Sequence, residues 1–189
     1  MYNLFKVGEC LMIQEIRTVV KEADLEKVIN YFDKSANKKD YEKQVIYNYH
    51  TEGDLRLIRT NSYVKLSFKD NNDNDVVYIS KKYEKDLLNM FKNIGISIEF
   101  KRFRERYKYI YNNIYITLDK GVKIGNILRF KFNYKNEEEK NNVLSIIKEI
   151  MDNLNIEETS VSKFEELYGK YRTSWNDLVG DMNEDIFLK

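Results

Sequence analysis

The 189-residue chain is expected to adopt an α+β fold built on an antiparallel sheet or barrel. Three observations carry that expectation. Segments of strand-like alternation outnumber helical ones, turn and hairpin signals join most of them, and no linker or shift in composition divides the chain. It therefore reads as one domain over residues 1–189, with 1–11 as an extension ahead of Met12 and 170–189 as a C-terminal tail.

Taken in order, MIQEIRTVV at 12–20 alternates as a strand, and Leu25, Val28, Ile29 and Phe32 recur at helical spacing within 24–34. QVIYNYH at 44–50 is strand-like, and the turn TEGD at 51–54 leads into LRLIRT. YVKLSFK at 63–69 sets Lys65, Ser67 and Lys69 against Val64, Leu66 and Phe68; after the turn DNNDND, VVYIS should return as a hairpin strand. Leu87, Leu88, Phe91 and Ile94 mark a second helix, stopped at Gly95. Strands follow at about 97–109, 112–119 and 126–134. The helix at 137–154 carries one stripe of Val143, Leu144, Ile147, Ile150, Met151 and Leu154. A last helix near 160–171 has capping-box spacing at Ser162 and Glu165, with Phe164, Leu167, Tyr168 and Tyr171 as its buried face. The tail beyond it adds a short helix or packs loosely.

Lys+Arg 32 against Asp+Glu 31 leaves a formal charge of +1, so no global field favours nucleic acid or a membrane surface. Any ligand electrostatics must be local. No apolar run approaches the roughly 20 residues of a membrane span and the start lacks a secretory pattern, so a cytoplasmic protein is expected. One cysteine, Cys10, and one histidine, His50, allow neither an internal disulfide nor a His-rich metal site; structural roles are expected for both.

The cations are unevenly placed. Phe100, Arg102, Arg104 and Arg106 share one strand face, opposite Lys101, Phe103, Glu105 and Tyr107. In GNILRFKF at 125–132, Arg129 and Lys131 stand on the face of Ile127, behind which lie Leu128, Phe130 and Phe132. With Arg17, Lys65 and Lys69, these side chains would form a basic cage with few counter-charges if they lined one interior. Such a cage suits a polyphosphate, whose oxygens accept bidentate bonds from arginine; the plainer reading is a sheet face in water.

Several segments carry a resemblance in the same order. Glu15 and Arg17 in MIQEIRTVV, Arg56 and Arg59 in DLRLIR, and Ser67 and Lys69 in KLSFK are three of them. Arg102, Arg104 and Tyr107 in FKRFRERY, Leu118, Asp119 and Gly125 in the following hairpin, and Lys163, Phe164 and Leu167 in SVSKFEELY complete the set. The chain resembles the CYTH superfamily of triphosphate tunnel proteins, which includes thiamine triphosphatases, inorganic triphosphatases and class IV adenylyl cyclases. The resemblance covers about residues 12–168. It implies a closed or nearly closed antiparallel barrel with flanking helices, whose lumen binds a triphosphate with Mg or Mn. Together, the basic cage and the resemblance lead to expected phosphate contacts from Arg17, Arg56, Arg59, Lys65, Lys69, Arg102, Arg104, Arg129 and Lys131; the resemblance implies metal contacts from Glu15 and Asp119.

The departures are as telling. The family's last strand ends in a Glu-x-Glu pair where this chain has Arg129 and Lys131; the first glutamate of the opening motif is Ile13, and VVYIS offers no carboxylate. The leading expectation is binding of a nucleotide or other phosphate-rich anion in a basic tunnel, with catalysis weak or lost. One alternative is a metal-dependent triphosphatase or adenylyl cyclase; another is a protein-interaction module on the same scaffold, with Tyr109, Tyr111 and Tyr115 as partner contacts. Neither a membrane nor nucleic acid is expected as partner.

Overall fold

The computed structural model describes residues 11–70 and 74–189. The expectations for residues 1–10, Cys10 among them, and for the centre of the DNNDND turn lie outside the described residues. The strands are β1 (Met12–Val20), β2 (Asn37–Tyr49), β3 (Asp54–Arg59), β4 (Val64–Lys69), β5 (Asn74–Ile79), β6 (Ile98–Tyr111), β7 (Ile114–Gly121) and β8 (Gly125–Tyr134). The helices are α1 (Leu25–Ser35), α2 (Glu84–Asn93), α3 (Glu137–Leu154), α4 (Val161–Val179) and α5 (Glu184–Phe187). The α+β class and the antiparallel sheet with flanking helices are present. The strand order is β1-β8-β7-β6-β2-β3-β4-β5. Among the described residues this order is open, ending at β1 and β5, so the expected closed or nearly closed barrel is present only approximately, as an antiparallel sheet that does not close. Residues 75–78 of β5 are exposed on both faces, so no burial fixes a further register at that edge.

The chain forms two compact units. The first holds residues up to Asp40, Lys108–Leu118 and Ile127–Thr159. Its core is aromatic: Phe32 and Phe130 are fully buried, and the Phe32 ring lies 5.5 Å from that of Tyr109 and 6.5 Å from that of Phe130. The stripe expected on α3 buries Ile147, Ile150, Met151 and Leu154. That helix starts where the Asn136 side chain accepts the Glu139 amide at 2.9 Å, and stops at Asn155, whose φ of 57° is left-handed. Lys27 Nζ then donates to the Leu154 carbonyl at 2.8 Å, and Thr18 Oγ1 to the Glu157 carbonyl at 2.5 Å.

The second unit holds Tyr41–Tyr107, Asp119–Asn126 and Ser160–Lys189. Its strands β2 to β5 form an antiparallel meander in which Asn48 pairs with Arg56, Tyr47 with Leu57 and Val45 with Arg59, while Arg56 pairs with Ser67 and Ile58 with Lys65. Val45, Tyr47, Leu57, Phe91, Phe103, Tyr171 and Val179 are buried together as one apolar cluster. Helix α2 stops as expected ahead of Gly95, whose φ of 81° favours glycine.

Three boundaries differ from expectation. Strand β2 begins at Asn37 because pairs far apart in sequence hold its charged start, such as the Tyr41 ring against Tyr107 at 4.9 Å. Helix α4 runs on to Val179, absorbing the first part of the supposed tail. It is capped by Ser160, which accepts the Lys163 amide at 3.3 Å, rather than by Ser162. Among the described residues no helix is long and apolar enough to cross a membrane.

The cap assignment predicts that Ser160→Ala costs about 1 kcal/mol, while Ser162→Ala stays within about 0.5 kcal/mol of the parent, as read by urea unfolding.

Candidate functional site

Strand parity sorts the basic residues of the second unit. Residues directly opposite one another in the ladder share a face, so Asn48, Arg56, Ser67, Ile58 and Lys65 stand on one side of the meander, and Tyr47, Leu57, Val45 and Arg59 on the other. Arg102 and Arg104 of β6 join the first side, because Arg102 Nη2 donates to Asn48 Oδ1 at 3.3 Å and Arg104 Nε to Gln44 Oε1 at 2.7 Å. Arg56 and Arg59, three residues apart, are thereby separated onto opposite faces.

A cavity of about 270 Å³ opens on the first side. Asn48, Arg56 and Arg102 line it from the strands, Asp54 and Glu99 from its rim, and Tyr168 and Arg172 from α4. Arg102 is 9% exposed, and its partners are weak and neutral. Beyond the Asn48 contact, Nη1 reaches Tyr168 Oη only at 3.5 Å, and the guanidinium lies 5.6 Å from the Phe100 ring and 5.7 Å from the Tyr168 ring. Its Nε has no hydrogen-bond partner among the described residues, and none of their carboxylates lies within ion-pair distance of it. Burial lowers its pKa, with the neighbouring charge of Arg56 adding in the same direction and Tyr168 and Asp119 opposing. Arg172 is exposed and lies 5.2 Å from the Phe100 ring. Arg56 is tied to Asp54 by a fork whose Nε contact is 2.6 Å.

The remaining arginines have carboxylates, contrary to the expected cage with few counter-charges. Asp119, 5% exposed, receives Arg106 through Nε at 2.6 Å and Nη2 at 2.7 Å, and Arg104 through Nη1 at 2.8 Å. Burial alone would pull the Arg106 pKa down; its hydrogen bonds to Asp119 together with the charges of Asp119 and Glu42 outweigh this and raise it. On the opposite face, Arg59 is held by Glu84 and Glu184 and by Asp185 at 3.1 Å, while Lys101 reaches Glu184 at 2.9 Å. Tyr47 donates its hydroxyl to the same Glu184, and its pKa is raised, first by burial and then by that carboxylate. Arg59 thus anchors the C-terminal helix α5 instead of facing the cavity. Lys65 stands 5.7 Å from the Tyr78 ring and Lys69 is exposed. In the first unit, Glu15 takes both Arg17 and Arg129, the latter at 3.3 Å, and Lys131 is exposed.

Glu15 and Asp119, the two carboxylates that the resemblance implied as metal ligands, do not fit a divalent ion. Each is paired with two guanidinium groups within its own unit, through both oxygens of Asp119 and through Oε1 of Glu15, and Mg²⁺ or Mn²⁺ would compete for those oxygen lone pairs. Among the described residues no set of three or more His, Cys, Asp or Glu side chains could hold a metal.

Sequence reasoning missed Arg172, Asn48 and Glu184. Arg172 had a readable signal: it follows Tyr168 by four residues and so shares its helix face, but the helix was expected to end at 171.

No protein-family model matches the chain, and no curated protein matches it. Solved structures do. The PH1819 protein of Pyrococcus horikoshii superposes with a TM-score of 0.59 at 17% identity, covering 84% of this chain and 99% of that one. A candidate adenylate cyclase from Vibrio parahaemolyticus gives 0.57 at 13% identity, over 82% of this chain and 97% of that one. Another, from Bacillus halodurans, gives 0.56 at 14%, over 78% and 91%. The chain has the CYTH, or triphosphate tunnel, fold. At these identities the likeness is one of fold, and the chemistry of the cavity must be read from its own side chains.

The Arg59 cluster predicts that Arg59→Met destabilises the protein by about 3 kcal/mol in denaturant unfolding, because buried Glu84 loses its cation and half-buried Glu184 keeps only Lys101 among the described cations.

Proposed function

We propose that the second unit binds a phosphate-bearing anion in the cavity lined by Arg56, Arg102 and Arg172, with little or no catalysis. One observation carries this reading: Arg102 is a buried guanidinium with no carboxylate partner among the described residues. An isolated buried charge costs several kcal/mol, and long contacts to an amide and a phenol do not offset it. A phosphate would, since its oxygens accept the unused Nε and the paired Nη donors of Arg102 together with donors of Arg56 and Arg172.

The volume of about 270 Å³ lies just below the roughly 300–1,000 Å³ of sites that enclose a whole organic ligand. It suits the phosphate portion, with any attached nucleoside extending outward. Sharing a fold with candidate adenylate cyclases supports an oligophosphate or a nucleotide as ligand class. The metal-dependent hydrolase or cyclase reading has no comparable support, as both carboxylates it needs are engaged by arginine.

Calorimetric titration with tripolyphosphate and with ATP at low salt tests the proposal. Binding is expected in the parent, and Arg102→Met is expected to weaken it at least about tenfold, one charge-assisted contact being worth about 1.5–3 kcal/mol. Because that substitution also removes an uncompensated buried charge, the melting temperature should hold or rise. Undiminished binding by Arg102→Met contradicts the proposal.

A further inference from the structure

Three features lie outside the cavity's own lining: the apolar groove beside α2, the Arg59 cluster that anchors α5, and the Asp119 cluster on β6. The groove, lined by Tyr47, Leu88, Phe91 and Ile98 among others, has nothing beside it to indicate an occupant. The Arg59 cluster closes its charges within the chain. The Asp119 cluster reaches further.

We infer that arginines take over the charge-neutralising role of a divalent ion at this site, so that its phosphate ligand binds without metal and in competition with the carboxylate of Asp119. The inference rests on the phosphate reading above and adds how that site is controlled. Arg102, Arg104 and Arg106 alternate along one face of β6, each about 7 Å from the next along the strand. Arg102 carries the cavity end of this row, and Arg104 and Arg106 together clamp Asp119 through three contacts of 2.6–2.8 Å. A carboxylate and a phosphate oxygen present the same acceptor geometry to a guanidinium fork. Asp119 therefore holds, as an internal anion, two arginines that a phosphate chain entering past Arg102 would otherwise engage.

The same clamp excludes a metal. A divalent ion would have to strip guanidinium donors from both Asp119 oxygens and then stand among Arg102, Arg104 and Arg106. The first unit pairs its carboxylate in the same way: Arg17 and Arg129 both form ion pairs with Glu15, so charge is balanced there by arginine as well. Glu15 and Asp119, the two carboxylates implied as metal ligands, are both paired with arginine.

Titration of the full chain with sodium tripolyphosphate, first in excess EDTA and then in excess Mg²⁺, tests the inference. Affinity in EDTA should be at least equal to that in Mg²⁺. Asp119→Asn, which keeps shape and one acceptor oxygen but drops the charge, should bind about tenfold more tightly in EDTA, since a competing anion is removed. Heat that appears only with Mg²⁺, or a folded Asp119→Asn that binds no more tightly than the parent, overturns the inference and leaves the phosphate reading standing. Absence of heat under both conditions overturns both. Should Asp119→Asn fail to fold, titration of the parent with Mn²⁺ alone, followed by electron paramagnetic resonance, decides: no protein-bound Mn²⁺ is expected, and stoichiometric binding overturns the inference.

Discussion

A guanidinium group taken out of water needs a compensating anion, and the way this chain supplies or withholds that anion distinguishes its arginines. Arg59 has Glu84, Glu184 and Asp185; Arg104 and Arg106 share Asp119; Arg129 has Glu15. These groups hold elements in place, α5 above all, and their charges close locally. Arg102 is as buried as Arg59, yet among the described residues its contacts are an amide, a phenol and two ring faces, with no carboxylate in ion-pair range. The contrast within one unit is what marks the cavity as a binding site. A solvated basic face would have exposed Arg102, and a structural ion pair would have given it an acid.

Parity in the strands produces the contrast. The β2–β3–β4 register puts Asn48, Arg56 and Ser67 in one row and Tyr47 and Leu57 in the adjacent row on the other face. A shift of one residue in β3 would exchange Arg56 for Leu57 at the cavity wall and turn Arg59 away from Glu84 and Glu184. The apolar cluster of Val45, Leu57, Phe91 and Phe103 resists that shift, so burial on one face fixes the electrostatics of the other.

Much of this was legible in the sequence, and the rest was hidden for definite reasons. The alternation in YVKLSFK and the stripe on 137–154 gave β4 and α3, because each carries its own periodicity. The face of Arg102, Arg104 and Arg106 was readable for the same reason. Their partners were not. Asp119 and Gln44 are 15 and 60 residues from Arg104, and Glu184 is 125 residues from Arg59, distances at which no local pattern speaks. The expected shortage of counter-charges therefore failed for Arg17, Arg104, Arg106 and Arg129, while Arg102 has no carboxylate partner among the described residues. The start of β2 was missed because its charged residues lack an apolar face and rely on contacts such as Tyr41 with Glu105.

The most direct test is a nitrogen-15 spectrum of the arginine Nε–H groups, followed as tripolyphosphate is added in EDTA. The Arg102 signal, assigned with Arg102→Met, should shift strongly and saturably, with Arg172 following and Arg59 unmoved. A spectrum in which Arg102 stays still at saturating ligand, or in which Arg59 moves instead, would show that the buried guanidinium is not where the anion goes.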